Sequence, residues 1–131
     1  MLIIGDNAGE TIFDKVLIEE LLNLEIIYAV RSGPIINDAT IEDVELAGLN
    51  RQVRLISTGC DAPGVIRTEC SQEFLKIFDE ADIVISKGQG NYETLSEEER
   101  EIFFLLKVKC PVIAKHIGVD SGDYVFINWD K

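Results

Sequence analysis

The sequence predicts an α/β fold, a doubly wound and mostly parallel sheet with helices on both faces, and two observations predict it. Short apolar runs of strand length alternate along the chain with segments of helical period. Three loops rich in glycine and Asx residues also stand out: residues 5–10 (GDNAGE), 34–40 (PIINDAT) and 86–93 (SKGQGNYE). Each follows, directly or nearly, a strand-like run and opens into a helical pattern. In an open parallel sheet, the loops after the strands form the binding edge.

The elements follow in order. Residues 2–5 are a short apolar run ending at glycine, a fully buried parallel strand. In residues 10–23, Ile12, Phe13, Val16, Leu17, Leu21 and Leu22 fall on one helical face, expected to meet the core. Residues 25–31 (EIIYAVR) are β-branched and aromatic, hence the second strand. Asp38 or Thr40 then caps a helix through residues 42–47 that stops at Gly48. Residues 52–57 form a third strand, and a Gly/Pro/Asp loop follows. Ser71 caps the helix Gln72–Glu80, whose Phe74, Ile77 and Phe78 supply its apolar face. Residues 82–86 (DIVIS) are another buried strand with Lys87 at its end, and 91–101 a polar helix. A strand at 102–108, a short helix at 111–116 and a last strand at 124–129 complete a Rossmann-like three-layer sandwich with right-handed crossovers.

Composition narrows the function classes. The chain has 131 residues, with no internal repeat or linker, and reads as one domain over 1–131. A formal net charge of -12 argues against a nucleic-acid or anionic-membrane surface, both of which need clustered Lys and Arg. No apolar run is long enough to span a bilayer, and the N-terminus lacks a basic signal-like region. Cys60, Cys70 and Cys110 form no CxxC pair, and one histidine, His116, leaves little material for a zinc site. Scattered free thiols suit a reducing cytoplasm, the expected location.

The loops carry the chemistry. Asp6 and Asn7 follow the first strand immediately. A carboxylate and an amide carbonyl are hard oxygen donors, and one turn can aim both at a point. Magnesium takes one or two carboxylates and fills its shell with water and substrate phosphate. The alternative is an Asx turn that caps the next helix. Asn37 and Asp38 sit just beyond the second strand. If that strand neighbours the first, Asp38 faces Asp6 and completes a cation site; otherwise it is an N-cap. Residues 87–91 (KGQGN) read as an anion cradle: glycines permit close approach, a helix begins, and Lys87 supplies full charge. Because the lysine precedes the glycines, this is not a Walker A loop, and a plain strand–turn–helix glycine pair is the alternative. Arg31 ends the second strand and reaches either a substrate anion or a surface carboxylate. Residues 5–9 lack the glycine spacing of a dinucleotide loop, so that reading is rejected. His116, alone near a helix end, reads as structural.

Four blocks, DNAGETIFDK, RSGPIINDATIEDV, ISKGQGNYETLSEE and FFLLKVKCPVIAKHIGV, go beyond what chemistry alone asks for. Together, in order and from residue 2 to about residue 126, they resemble the damage-control phosphatase family. It is also called the acidic-residue methyltransferase-like metal-binding domain, and the likeness is to its archaeal and bacterial branch. The resemblance implies a divalent metal (Mn2+, Mg2+, Co2+ or Ni2+) held by Asp6, Asn7 and Asp38. It implies that Lys87, with Gly88 and Asn91, engages substrate phosphate, and that phosphomonoesters such as sugar phosphates or damaged phosphorylated metabolites are hydrolysed. Members of the family carry a helical region before this domain, and nothing here corresponds to it. A separate helical partner or a homo-oligomer is therefore expected to cover the site.

Three readings compete. In the first, a metal-dependent phosphatase, Asp6, Glu10 and Lys87 are the catalytic candidates, Arg31 and Asn37 bind substrate, and Asp43 is a further candidate base. A metal-bound water or Asp6 itself is the nucleophile, and the sequence leaves both open. The second is an S-adenosylmethionine-dependent carboxyl methyltransferase, against which stands the absence of a glycine-rich cofactor loop with an acid ending the second strand. The third is a metal-binding domain inactive without its helical portion.

Overall fold

The computed structural model describes residues 1–33 and 37–129. Pro34, Ile35 and Ile36, which open the second loop segment, lie outside the described residues. The elements run β1 (Leu2–Ile4), α1 (Thr11–Glu19), β2 (Ile27–Val30), α2 (Ile41–Leu46), β3 (Arg54–Ser57), α3 (Gln72–Glu80), β4 (Val84–Lys87), α4 (Gln89–Leu95), β5 (Ile102–Lys107), α5 (Pro111–Ile117) and β6 (Tyr124–Trp129). They build one six-stranded sheet in the order β3-β2-β1-β4-β5-β6. All neighbours are parallel except β5 and β6, which are antiparallel. The α/β architecture is the one that the alternation of patterns predicts.

Strand periodicity sorts the core into two layers. Leu2 and Ile4, with Ala29, Val84, Ile102, Phe104 and Leu106, face α3, α4 and α5, where Phe74, Phe78, Tyr92, Leu95 and Ala114 meet them. Ile3, Tyr28, Val30 and Ile85 face the other way, against Ile18 of α1 and Val44 of α2. Both faces of β1 are buried, which is why its sequence is an unbroken apolar run.

Local chemistry sets the helix starts. The Ser71 hydroxyl accepts the Phe74 N–H at 3.1 Å, as the sequence predicts for α3. Thr40, rather than Asp38, caps α2 in a reciprocal capping box with Asp43. Asp43 Oδ2 accepts from the Thr40 N–H and hydroxyl at 2.9 Å each. Asp43, a candidate base, is thus engaged at the start of α2. The polar helix expected over residues 91–101 begins at Gln89 and stops at Leu95. No apolar residue follows until Ile102, so a longer helix would have no face to bury.

The expected inner face of α1 is corrected. Ile12, Phe13 and Val16 are exposed, at 64%, 75% and 60%, while Thr11, Asp14 and Ile18 point inward. The helix turns a carboxylate to the sheet because the sheet supplies partners for it. Tyr124 and Phe126 of the edge strand are also exposed, and the Phe126 ring stacks on Phe103 at 5.9 Å. Among the described residues no helix is long and apolar enough to cross a membrane.

Candidate active site at the strand crossover

Strand order reverses between β1 and β4, so the chain leaves their C-terminal ends in opposite directions and opens a crevice there. Asp6 and Asn7 follow β1, and Lys87 is the last residue of β4. An open cavity of about 200 Å³ lies at this point, lined in part by Asp6, Asn7, Glu10, Gly88, Lys109 and Tyr124. A larger groove of about 440 Å³ lies at the opposite ends of the strands, around Met1, Leu24, Arg54 and Ile83. It contains none of the predicted site residues, so the smaller cavity is the chemically equipped one.

The loops after β1 and β2 are stitched together. The Ala39 N–H donates to the Asp6 carbonyl at 2.6 Å, and the Ala8 N–H to the Asn37 carbonyl at 2.8 Å. Asn7 and Asp38 form an isolated antiparallel bridge. Asp38 is therefore beside the Asp6–Asn7 pair, as a neighbouring β2 requires. Arg31, only 2% exposed, holds this arrangement from behind. Its Nε donates to Asp38 Oδ2 at 3.2 Å and its Nη2 to Asn91 Oδ1 at 2.6 Å. The Nη1 atom of Arg31 is buried without a hydrogen-bond partner among the described residues.

The glycine loop, expected as an anion cradle, meets the sheet and the Asp6 carboxylate. Gly88 donates its N–H to the Leu105 carbonyl at 3.0 Å, so that group is committed to the sheet and not to an anion. Its φ of +88° and ψ of 154° belong to glycine alone, and a Cβ there would come within 2.2 Å of the Asp6 carboxyl carbon. Gly88 thus lets the β4 loop pass against the Asp6 carboxylate. Asn91 is fully buried, and its amide nitrogen donates to the carbonyls of Lys87 at 2.7 Å and Gly5 at 3.4 Å. It is a strut joining three loops behind the cavity. Asn37 is exposed and contributes its backbone carbonyl.

Lys87 is in the same strand register as Ile85 and so faces α1. Its Nζ donates to Glu10 Oε2 at 3.0 Å and to Asp14 Oδ1. The Tyr28 hydroxyl donates to the other oxygen of Asp14 at 2.5 Å. Burial alone would push the Lys87 ammonium down, but Asp14 and then Glu10 reverse this and hold it above the ordinary lysine value. Burial, then Asp14, raises the Tyr28 hydroxyl, which keeps it a donor. Asp6 is pushed up to about 6, chiefly by burial and then by the Asp38 and Glu10 carboxylates.

These donors fit a hard divalent cation. Among the described residues no three His, Cys, Asp or Glu side chains are grouped to hold a metal by themselves. Asp6, Asn7 and Asp38 are instead two carboxylates and an amide oxygen, a set that leaves positions for water and phosphate. Burial first, and then the Asp38 and Glu10 carboxylates, make ionised Asp6 costly, a cost that a cation beside it would reduce. Sequence reasoning missed Asp14, Tyr28 and Lys109. The first had one available signal: Glu10 and Asp14 are four apart, a spacing that puts both on one side of a helical stretch.

A family model described as the damage-control phosphatase ARMT1-like domain matches residues 1–125. A damage-control phosphatase of Pyrococcus horikoshii is 50% identical over 129 residues, covering 95% of this chain and 45% of that protein. One of Archaeoglobus fulgidus is 43% identical over 124 residues, covering 92% and 43%. The crystal structure of a DUF89 family protein from P. horikoshii superposes with a TM-score of 0.93 at 48% identity, over 98% of this chain and 47% of that one. The chain spans less than half the length of these relatives.

Proposed function

The chain belongs to the damage-control phosphatase ARMT1-like family, and from that premise we propose that its crossover site serves a divalent-metal-dependent phosphatase of small phosphomonoesters, such as sugar phosphates or damaged phosphorylated metabolites. The names of the relatives support a phosphatase-type function. The observation that carries the finer reading is the packing of Gly88 against the Asp6 carboxylate, by which the carboxylate loop and the lysine loop share one crevice.

Asp6, Asn7 and Asp38 would hold Mn2+, Mg2+, Co2+ or Ni2+. Such an ion, when bound, supplies Lewis acidity toward a phosphoryl oxygen. The chain's own residues do the rest. Arg31 keeps Asp38 in place through its Nε. Lys87 and Lys109 supply positive charge for the phosphoryl oxygens, where charge accumulates during transfer. Glu10, half-exposed at the cavity, offers carboxylate oxygens to a proton released there. The methyltransferase reading gains no support, because the end of β2 carries Arg31, bonded to Asp38 and Asn91, and no acid for a ribose.

One observation favours the third reading, a metal-binding domain whose turnover needs a helical portion or partner: this chain covers less than half of each relative. Hydrolysis of p-nitrophenyl phosphate separates the two. The phosphatase reading expects phosphate release with Mn2+, none with EDTA, and a loss of about 100-fold in Lys87→Ala. Equal rates with EDTA, or in Lys87→Ala, overturn it. Stabilisation by Mn2+ without turnover selects the domain reading.

A further inference from the structure

Lys87 carries two carboxylates on one ammonium, and they differ in every respect that matters for exchange. Asp14 lies on the inner side of α1 and is 4% exposed. Both of its oxygens are used, Oδ1 by Lys87 and Oδ2 by the Tyr28 hydroxyl. Tyr28 is itself fully buried, and it reaches this position beside Gly5, where a Cβ would meet its hydroxyl at 2.6 Å. Glu10, by contrast, uses one oxygen on Lys87 at 3.0 Å, has a side chain 42% exposed, and lines the cavity.

We propose that Asp14, backed by Tyr28, is the positioning residue that fixes the Lys87 ammonium, and that Glu10 is the partner Lys87 exchanges for an entering phosphoryl anion. This rests on the reading above in which Lys87 meets phosphate. A buried carboxylate with both oxygens bonded cannot leave without stranding a charge. A half-exposed carboxylate is re-solvated at little cost when an anion takes its N–H. Asp14 also keeps the buried lysine charged, without which it has nothing to offer an anion.

The consequence is a reversal of sign that simple Coulomb reasoning does not give. Both carboxylates repel an incoming anion, so on charge alone neutralising either should tighten phosphate binding. If Asp14 positions and Glu10 competes, Glu10→Gln tightens binding and Asp14→Asn weakens it. Removing the half-exposed Glu10 carboxylate from the buried Lys87 is expected to tighten phosphate binding by up to about fivefold. Losing an orienting partner costs about tenfold or more. Tyr28→Phe, which keeps the ring and removes only the hydroxyl, should weaken binding in the direction of Asp14→Asn, by about threefold.

The experiment is calorimetric titration of the 131-residue chain with inorganic phosphate at saturating Mn2+ and fixed pH, with Lys87→Ala as the reference. Opposite signs for Glu10→Gln and Asp14→Asn, with Tyr28→Phe on the Asp14 side, are the expected result. Where Asp14→Asn does not fold, the opposition between Glu10→Gln and Tyr28→Phe carries the test. Tightening in both, or in neither, overturns the proposal. Wild-type affinity in Lys87→Ala overturns the phosphate reading of Lys87 first, and this proposal with it, so the two failures are told apart by separate arms.

Discussion

Replacing Asp6 with asparagine should stabilise the metal-free protein and remove its response to metal. The Asp6 carboxyl is raised from near 3.8 to about 6 in the folded state. A raised carboxyl contributes stability that is fully present below its unfolded value and is lost as pH rises through its folded value. At pH 7.5 the folded state therefore bears the whole cost of ionising Asp6. A shift of roughly two units is about 3 kcal/mol at 1.36 kcal/mol per unit, and partial solvation of Asp6 reduces this to about 1–2 kcal/mol. Asparagine keeps the shape and cannot ionise, so Asp6→Asn should melt about 3–8 °C above wild type in EDTA at pH 7.5. The gap should close as pH falls from 6 toward 4, where the native carboxyl takes up its proton. Manganese reverses the ranking: at a hundredfold excess over its dissociation constant it adds about 2.7 kcal/mol to the wild type and nothing to the variant. Melting curves at pH 7.5 and pH 4, with EDTA and with Mn2+, read all of this. A variant less stable than wild type in EDTA at pH 7.5, or one that still rises with Mn2+, would refute the reasoning.

Two further outcomes are expected. Gly88→Ala places a Cβ within 2.2 Å of the Asp6 carboxyl at a φ of +88°, a conformation that costs about 1–3 kcal/mol. It should lower the urea midpoint and weaken Mn2+ binding together. Gly90→Ala, whose nearest neighbour would be 3.5 Å away, should do neither, and equal effects at both positions would remove the close-approach argument. The exposed Phe13 and Phe126 should make the chain self-associate, so that sedimentation gives a concentration-dependent mass above 14.6 kDa. The Phe13→Glu/Phe126→Glu double variant should stay at the monomer mass; a wild type monomeric at every concentration refutes this.

What the sequence told reliably was whatever depends on near neighbours. Ser71 and the apolar Phe74 and Phe78 are three and four residues apart, so α3 was readable to its ends. The same holds for β1, whose apolar run reports burial on both faces. The reading failed where partners come from far along the chain. Ile12, Phe13 and Val16 look like an inner face, because apolar residues ordinarily face a core. Asp14 takes that side only because Lys87, 73 residues away, and Tyr28 meet it there. Asn91 likewise reads as a phosphate ligand locally, but its amide nitrogen donates to the carbonyls of Lys87 and of Gly5, 86 residues away. That Asp6, Asn7 and Asp38 would lie side by side was legible because strand ends and Asx residues mark them locally, and it needed only that β1 and β2 adjoin in the sheet.

The pairing of β1 with β4 has a consequence for how the site comes into being. Leu2 lies opposite Val84, so 82 residues are closed into a loop when these strands meet. For a flexible chain, that closure costs about 4 kcal/mol of entropy beyond a constant. Asp6 and Lys87 are brought together by this one event, since each follows or ends one of the two strands. A chain whose halves have each formed local structure but not yet joined has no crevice, only an acidic loop and a distant lysine. On the reading proposed above, phosphate affinity, which needs Lys87 beside that crevice, therefore waits for this closure, whereas the Asp6, Asn7 and Asp38 donors all lie on the first half and are joined by the loops after β1 and β2.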